Sequence, residues 1–317
     1  MKKAFVLGAG VGERLRPLTD QLPKPLIPVF HRPLITYAFD HLIAAGVEEL
    51  IVNTHHLPEA YARAFPEARY RGLPVHFRHE SPVRLETAGG IANVRDLLGD
   101  EPFLVYNGDV LTDLPLESLL RTHQERGNVV TLALRSAGPA LHIAIDESTG
   151  RLIDIRNKLG TGHEGTYLFT GVYACSPEFH RWLTPGKVES VIPVFLRMIQ
   201  EGAALGAVVL DEGHWWDLGS RSSYLEAHRI LAALGARFPG YGPRTRVEAV
   251  SGTAQIATDA TFQGLNVIGD GAAIGAGAAL ENCILWPGAA VAPGARLRDC
   301  IVRTGATAAG ESTARDF

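Results

Sequence analysis

No apolar run in the sequence approaches the roughly 18 residues of a membrane-spanning helix, and the N-terminus enters a strand-like stretch with no signal-peptide pattern. The chain is expected to be cytoplasmic, with no membrane partner. Cysteine is scarce: Cys175, Cys283 and Cys300 are an odd number without metal-ligand spacing, each in an apolar, strand-like context. That excludes a disulfide framework and a thiolate metal site, and predicts buried thiols. Charge of one sign is never concentrated. Lysine plus arginine number 30 against 34 aspartate plus glutamate, for a net charge of −4 and no block of like charge. The electrostatic footprint of a nucleic-acid binder is therefore missing. Lysine is absent after Lys187 and histidine after His228, so the C-terminal stretch has no histidine base to offer.

The apolar content of 46% is ample for the cores of two domains in 317 residues. The most informative stretch comes first. Ala4 to Leu7 is a run of strand length that empties into Gly8-Ala9-Gly10-Val11-Gly12, where backbone N–H groups can approach a phosphate without a side chain in the way. Arg14 supplies a planar fork for phosphoryl oxygens and Lys24 a compact point charge, a pairing suited to a polyphosphate. Both are expected on a surface-accessible loop whose mutation hardly changes stability. The spacing is neither that of a dinucleotide-binding fingerprint, whose third glycine is replaced by Glu13, nor that of a P-loop, since Gly-Lys-Ser/Thr is absent.

Downstream, a helical pattern over Pro33 to Ala45, a strand at Glu49 to Thr54, a helix near Pro58 to Ala64 and a strand at Pro74 to His79 alternate, which predicts a parallel α/β sheet with ligands off the carboxyl ends of its strands. Pro102 to Tyr106 is another strand, ending in Asn107-Gly108-Asp109. A carboxylate just past a strand tip suits a Mg²⁺ ligand whose remaining positions are filled by substrate phosphates, which makes Asp109 a candidate metal ligand. From Val129 the pattern becomes strand-rich. The histidines carry no metal or triad spacing, and Trp215 and Trp216 read as packing residues. Past Leu234, Gly, Ala, Pro and Val dominate. Apolar residues recur every six positions at Ile256, Phe262, Ile268, Ile274 and Leu280, the period of a left-handed β-helix. Leu280 to Ala289 aligns with Leu297 to Ala306, setting Cys283 and Cys300 at equivalent inward positions. Arg237 to Pro243 is a Pro/Gly linker. Two domains are predicted, 1–236 and 244–317.

The string Leu7-Gly8-Ala9-Gly10-Val11-Gly12-Glu13-Arg14-Leu15 with Pro23-Lys24-Pro25 resembles the signature of the sugar-1-phosphate nucleotidylyltransferases, with Gly8 where that family has Ala. The resemblance covers nearly the whole chain. It implies a Rossmann-like mixed sheet followed by a short left-handed parallel β-helix, and a Mg²⁺-dependent reaction of an NTP with a sugar 1-phosphate. Leu7, Ala9, Gly10 and Gly12 would bind nucleotide, as would Glu80, Thr87 and Gly89 from a loop similar to the family's Leu-Gly-Thr-Ala-Gly motif. In that loop Glu86 replaces glycine, a Leu-Glu-Thr variant familiar from branches acting on muramate or heptose phosphates. Asn107, Lys158 and Gly171 would bind the sugar phosphate. Lys158 falls in Asn157-Lys158-Leu159, where the family's Glu-Lys-Pro has lost its Glu. Trp-x-Asp-x-Gly at Trp215 to Gly219 marks Asp217 as the second Mg²⁺ ligand, with Arg14 and Lys24 as the catalytic cations. The alternative is a catalytically silent regulatory or scaffold subunit of the same family. An acyltransferase on the β-helix is disfavoured by the missing histidine. The C-terminal domain is expected to serve homo-oligomeric assembly and no chemistry.

Overall fold

The computed structural model describes residues 1–234 and 249–317; the linker reading at Arg237 to Pro243 lies outside the described residues. By compactness the chain divides into two units. The first comprises Met1–Val11, Pro23–Pro25 and Ile35–Asp217, and the second Gly12–Leu22, Leu26–Leu34 and Leu218–Phe317. Two N-terminal segments on either side of Pro23–Pro25 thus group with the C-terminal residues.

The first unit is built on a ten-stranded sheet in the order Ile143–Asp146, Arg151–Ile155, Leu205–Val209, Val130–Arg135, Leu168–Cys175, Phe103–Asn107, Lys3–Leu7, Glu49–Thr54, Leu73–His79 and Arg69–Tyr70. Lys3–Leu7 pairs in parallel with both Glu49–Thr54 and Phe103–Asn107. Alternation of strand and helix produced this half, because a crossover helix must return the chain to the same end before the next parallel strand. The other half departs from the parallel expectation: Leu168–Cys175 runs antiparallel to both of its neighbours. No helix intervenes between Ile143–Asp146 and Arg151–Ile155, which therefore pair as an antiparallel hairpin. The sheet is mixed, as the family resemblance implied. Helices Glu86–Asn93 and Val191–Gln200 bury Ile91, Val194, Phe195 and Met198 against Phe5, Phe103, Val105 and Tyr173 of the sheet, forming the main core.

In the second unit, residues 255–313 form a parallel solenoid of three sheets, consistent with the left-handed β-helix of the sequence reading. Ile268 stands beside Leu285 and Leu285 beside Val302, and Leu280 beside Leu297, so the 17-residue alignment is the distance from one coil to the next. Cys283 and Cys300 are both fully buried in its core, as predicted. Ala272, Ala278, Ala289 and Ala295 fill that core between the larger side chains, because a coil of so small a bore admits little more than a methyl group at each corner. Ile256 and Phe262 depart from the six-residue pattern by being 37% and 44% exposed; among the described residues their strands pair on one side only, with the coil that follows. Helix Arg221–Ala233, capped by a reciprocal Ser220 and Ser223 pair, completes the unit. Among the described residues no helix is long and apolar enough to cross a membrane.

Candidate active site

An open cavity lies in the first unit at the carboxyl ends of the parallel strands. Its lining includes Leu7, Ala9, Gly10, Lys24, Asn107 and Asp109. Strand register explains the convergence. Leu7 is the last residue of its strand and stands level with Asn53 on one side and Asn107 on the other, so three strand tips open into one crevice.

The glycine loop begins with a constraint. A Cβ at Gly8 would lie 2.6 Å from the Asn53 carbonyl oxygen and 2.7 Å from Val52 Cγ1. Gly8 N–H donates to Asn53 Oδ1 at 2.8 Å, and Gly8 carbonyl accepts from Tyr61 Oη at 2.7 Å. Exchange of Gly8 for the family's Ala is therefore no neutral change in this chain. At Gly10 the surroundings are open, with no atom within 4 Å of where a Cβ would stand, so its backbone is accessible to a ligand.

Two carboxylates face the cavity's one buried cation. Trp215–Asp217 pairs antiparallel with Val110–Thr112, placing Asp217 opposite Val110 and thereby beside Asp109. Lys24 Nζ lies 2.7 Å from Asp109 Oδ2 and 3.1 Å from Asp217 Oδ1. Lys24 is 5% exposed, which corrects the expectation of a surface-accessible lysine; a buried ammonium persists because two carboxylates compensate it. Three groups separated by some 190 positions of sequence become one charge cluster. Asp217 itself is fixed from behind: Trp215 Nε1 donates to the Thr170 carbonyl at 2.8 Å, and Trp216 stacks on His214.

Other predicted residues are placed differently. Thr87 lines the cavity and its hydroxyl accepts from Val191 N–H at 2.7 Å, while Glu80, 1% exposed, spends its carboxylate on Asn53 Nδ2 and Leu85 N–H, both at 2.8 Å. Gly89 is buried, and a Cβ there would lie 2.3 Å from the Lys187 carbonyl oxygen. Gly171, at φ +80°, lets the bulged strand Leu168–Cys175 press against Asn107, whose Nδ2 would be 2.5 Å from a Cβ. Lys158 is exposed in the turn after Arg151–Ile155 and does not line this cavity. Gly12 and Arg14 belong to the second unit, where Gly12, at φ +69°, precedes the 3₁₀ turn Glu13–Leu15 that carries Arg14.

Sequence reasoning gave no site role to Asn53, Arg84 or Glu86, the last singled out only as a replacement for glycine, and all three line the cavity. For Asn53 the signal was the one used for Asn107, a polar residue ending an apolar strand. Glu86 adopts φ +62°, the left-handed region, at the position where the family has glycine, and accepts from Arg84 Nη2 at 2.6 Å.

The nucleotidyl transferase family model matches residues 3–233. N-acetylmuramate alpha-1-phosphate uridylyltransferase of Neisseria meningitidis serogroup B is 33% identical over 233 residues, covering 73% of this chain and 99% of the relative. A UTP–glucose-1-phosphate uridylyltransferase of Synechocystis is 25% identical over 90% of this chain and 82% of its own length. A mannose-1-phosphate guanylyltransferase of Mycobacterium tuberculosis is 29% identical over 89% and 79%. A strand-tip cavity edged by the glycine loop, with a lysine held between two distant aspartates, and these matches over most of the sequence show together that the chain belongs to the nucleotidyl transferase family.

Proposed function

We propose that the protein transfers a nucleoside monophosphate from an NTP to a sugar 1-phosphate, releasing pyrophosphate, with Mg²⁺ as cofactor. The observation that carries this reading is the Lys24–Asp109–Asp217 cluster at a cavity edged by the backbone of Ala9 and Gly10. Two carboxylates that converge on one ammonium also fit a hard divalent cation, so Asp109 and Asp217 are the residues that would hold Mg²⁺. When bound, the ion supplies compensation for the polyphosphate charge.

The chain's own groups account for the remainder. Ala9 and Gly10 offer backbone to phosphate oxygens, Thr87 lies toward the nucleoside, and Asn107 and Gly171 shape the sugar-phosphate side. Lys158 enters this reading as a sugar-phosphate ligand, and Arg14 as a fork for phosphoryl oxygens, both from the motif rather than from the cavity lining. A sugar-phosphate oxygen attacks the α-phosphorus in line, the bond to the bridging oxygen breaks, and pyrophosphate leaves with that electron pair. No covalent enzyme intermediate is required, so catalysis is positioning and charge stabilisation. We read the flat faces of the solenoid as the surface for homo-oligomeric assembly, and a cytoplasmic location follows from the NTP substrate.

The relatives are named for uridylyl and guanylyl transfer to N-acetylmuramate, glucose and mannose 1-phosphates. A pyrophosphate-release screen of UTP, GTP, dTTP, CTP and ATP against these sugar phosphates tests the proposal. One pair is expected to stand about tenfold or more above the rest, consistent with discrimination by one or two pocket contacts. EDTA should abolish that turnover and Mg²⁺ restore it. No turnover with any pair would overturn the reading in favour of the silent subunit.

A further inference from the structure

The segments that flank Pro23–Lys24–Pro25 both belong to the second unit, and both are tied to its C-terminal coils. On the N-terminal side, Arg303 Nη1 donates to the Pro17 carbonyl at 3.1 Å and Gln21 Nε2 to the Thr304 carbonyl at 3.2 Å. Pro17 and Gln21 bracket the 3₁₀ turn Leu18–Asp20 that follows Arg14. On the other side the link is a relay. Trp286, fully buried, donates from Nε1 to Tyr224 Oη at 3.1 Å, and Tyr224 Oη donates to the Pro28 carbonyl at 2.5 Å. Tyr224 sits on helix Arg221–Ala233, which also accepts from Phe30 N–H at His228 Nε2, 3.0 Å away. That helix is bolted to the coils by Arg221, which meets Asp316 at 2.7 Å and the Asp299 carbonyl, and by Arg229, 2.9 Å from Asp299 Oδ1.

We propose that the solenoid is a positioning brace for the signature segment, with Arg303 and Trp286 as positioning residues that hold the backbone before and after Lys24. The physical basis is entropic. The segment buries Leu15, Leu18, Ile27 and Val29, yet its 3₁₀ turns and two-residue strands give its backbone no long ladder of its own, and a group that must meet a developing charge loses rate when its backbone wanders. Hydrogen bonds from the Arg303 guanidinium and from the Tyr224 hydroxyl, itself held by the Trp286 indole, fix it at two points, one on each side of the turn. Assembly and bracing can coexist because these contacts come from the corner at Trp286 and the one at Arg303, while the sheet through Thr261–Gln263, Ala279–Glu281 and Arg296–Arg298 makes none of them. The inference extends the proposed function by linking the coils to turnover.

The test uses the full chain carrying Arg303→Met and Trp286→Phe together, which removes both donors and keeps apolar bulk. Arg303→Lys, paired with native Trp286, keeps a cationic donor, and Arg298→Met is a control on another face. Hydrogen exchange should speed by about tenfold in amides of 12–22 and 26–34, the scale of one lost charge-assisted hydrogen bond. Coil amides at Ile284–Leu285 should stay unchanged. Turnover should fall by about tenfold, with the sugar-phosphate KM within about twofold and Arg303→Lys close to the wild type. Unchanged exchange in 12–22 overturns the brace whatever the activity; faster exchange with wild-type kcat also overturns it, by making the contacts purely structural. A wild-type protein without turnover in the substrate screen would count against the proposed function alone, because the exchange measurement still decides the brace.

Discussion

The sheet unit and the solenoid unit bury their apolar surface in opposite ways. In the first, the core is assembled from large side chains remote in sequence, such as Phe5, Phe103, Tyr173, Phe179 and Phe195. In the second, Ile268, Leu285 and Val302 stack at intervals of 17 residues with alanines between them, each coil pairing its strands with those of the next. Convergence of remote strands leaves a crevice where their tips end, and the charge cluster of Lys24, Asp109 and Asp217 sits there. Stacking of like coils offers regular surface instead, and the hollow along its strands is lined by repeating positions such as Phe262, Leu280 and Leu297. The cavity and its charge cluster thus lie in the unit with the irregular core, while Gly12 and Arg14 of the signature group with the repetitive one.

The largest expected effect breaks the coil unit. Trp286 is the largest fully buried side chain of the chain. Its replacement by alanine should cost about 3–5 kcal/mol by cavity formation and lost transfer energy. Urea unfolding followed by a probe in each unit should show the solenoid transition moving to lower denaturant; coincident, unshifted transitions would mean that the coils do not depend on this side chain.

Lys24→Met strikes the sheet unit. Turnover should fall about a hundredfold or more, the scale of removing one preorganised donor at a developing charge. Without the ammonium, Asp109 and Asp217 lose the cation they share, so the variant should be stabilised by added Mg²⁺ more than the wild type. Equal shifts of melting temperature with Mg²⁺ would assign the two carboxylates a role other than metal binding.

A pair of glycine substitutions separates packing from ligand contact within one loop. Gly8→Ala should destabilise by about 1–3 kcal/mol, as overpacking against the Asn53 carbonyl requires. Gly10→Ala meets open space, so its melting temperature should stay near that of the wild type while the NTP KM rises. Identical melting temperatures for the two variants would refute the steric reading of Gly8.

The smallest effect concerns acid. Burial lowers His41, in the sheet unit, and His228, in the second unit, from the usual 6.5 to about 4. The geometry of His228 agrees: Nε2 accepts from Phe30 N–H, leaving Nδ1 to donate to the Tyr224 carbonyl at 2.8 Å, so a second proton would oppose an N–H. Its neighbour His31 also lowers it. With the folded value below the unfolded one, stability is intact above pH 6.5 and falls toward pH 4, as the unfolded chain binds protons that the folded chain refuses. Each histidine contributes at most about 1.4 kcal/mol per pH unit. His228→Gln should flatten the pH dependence of the second unit's unfolding between pH 6.5 and 5, with that of the sheet unit unchanged; an unaltered slope would refute the assignment.

How much of this was legible follows from the range of each signal. The glycine loop, the strand preceding it, Asp109 at a strand tip and the 17-residue repeat are local patterns, and the sequence by itself determined them, because backbone preference, hydrophobic period and turn chemistry act within a few residues. Resemblance added Asp217, which spacing alone would not have singled out. Tertiary structure decided the rest. It set Asp217 opposite Val110, buried Lys24 between two carboxylates, turned Glu80 inward to hold Asn53 and the Leu85 amide, and grouped Gly12–Leu22 and Leu26–Leu34 with the coils. Apart from the contact of Glu80 with Leu85, five positions on, each of these depends on pairing between residues tens to hundreds of positions apart. Such pairings are selected by the packing of the whole core, an energy that no local stretch of the chain contains.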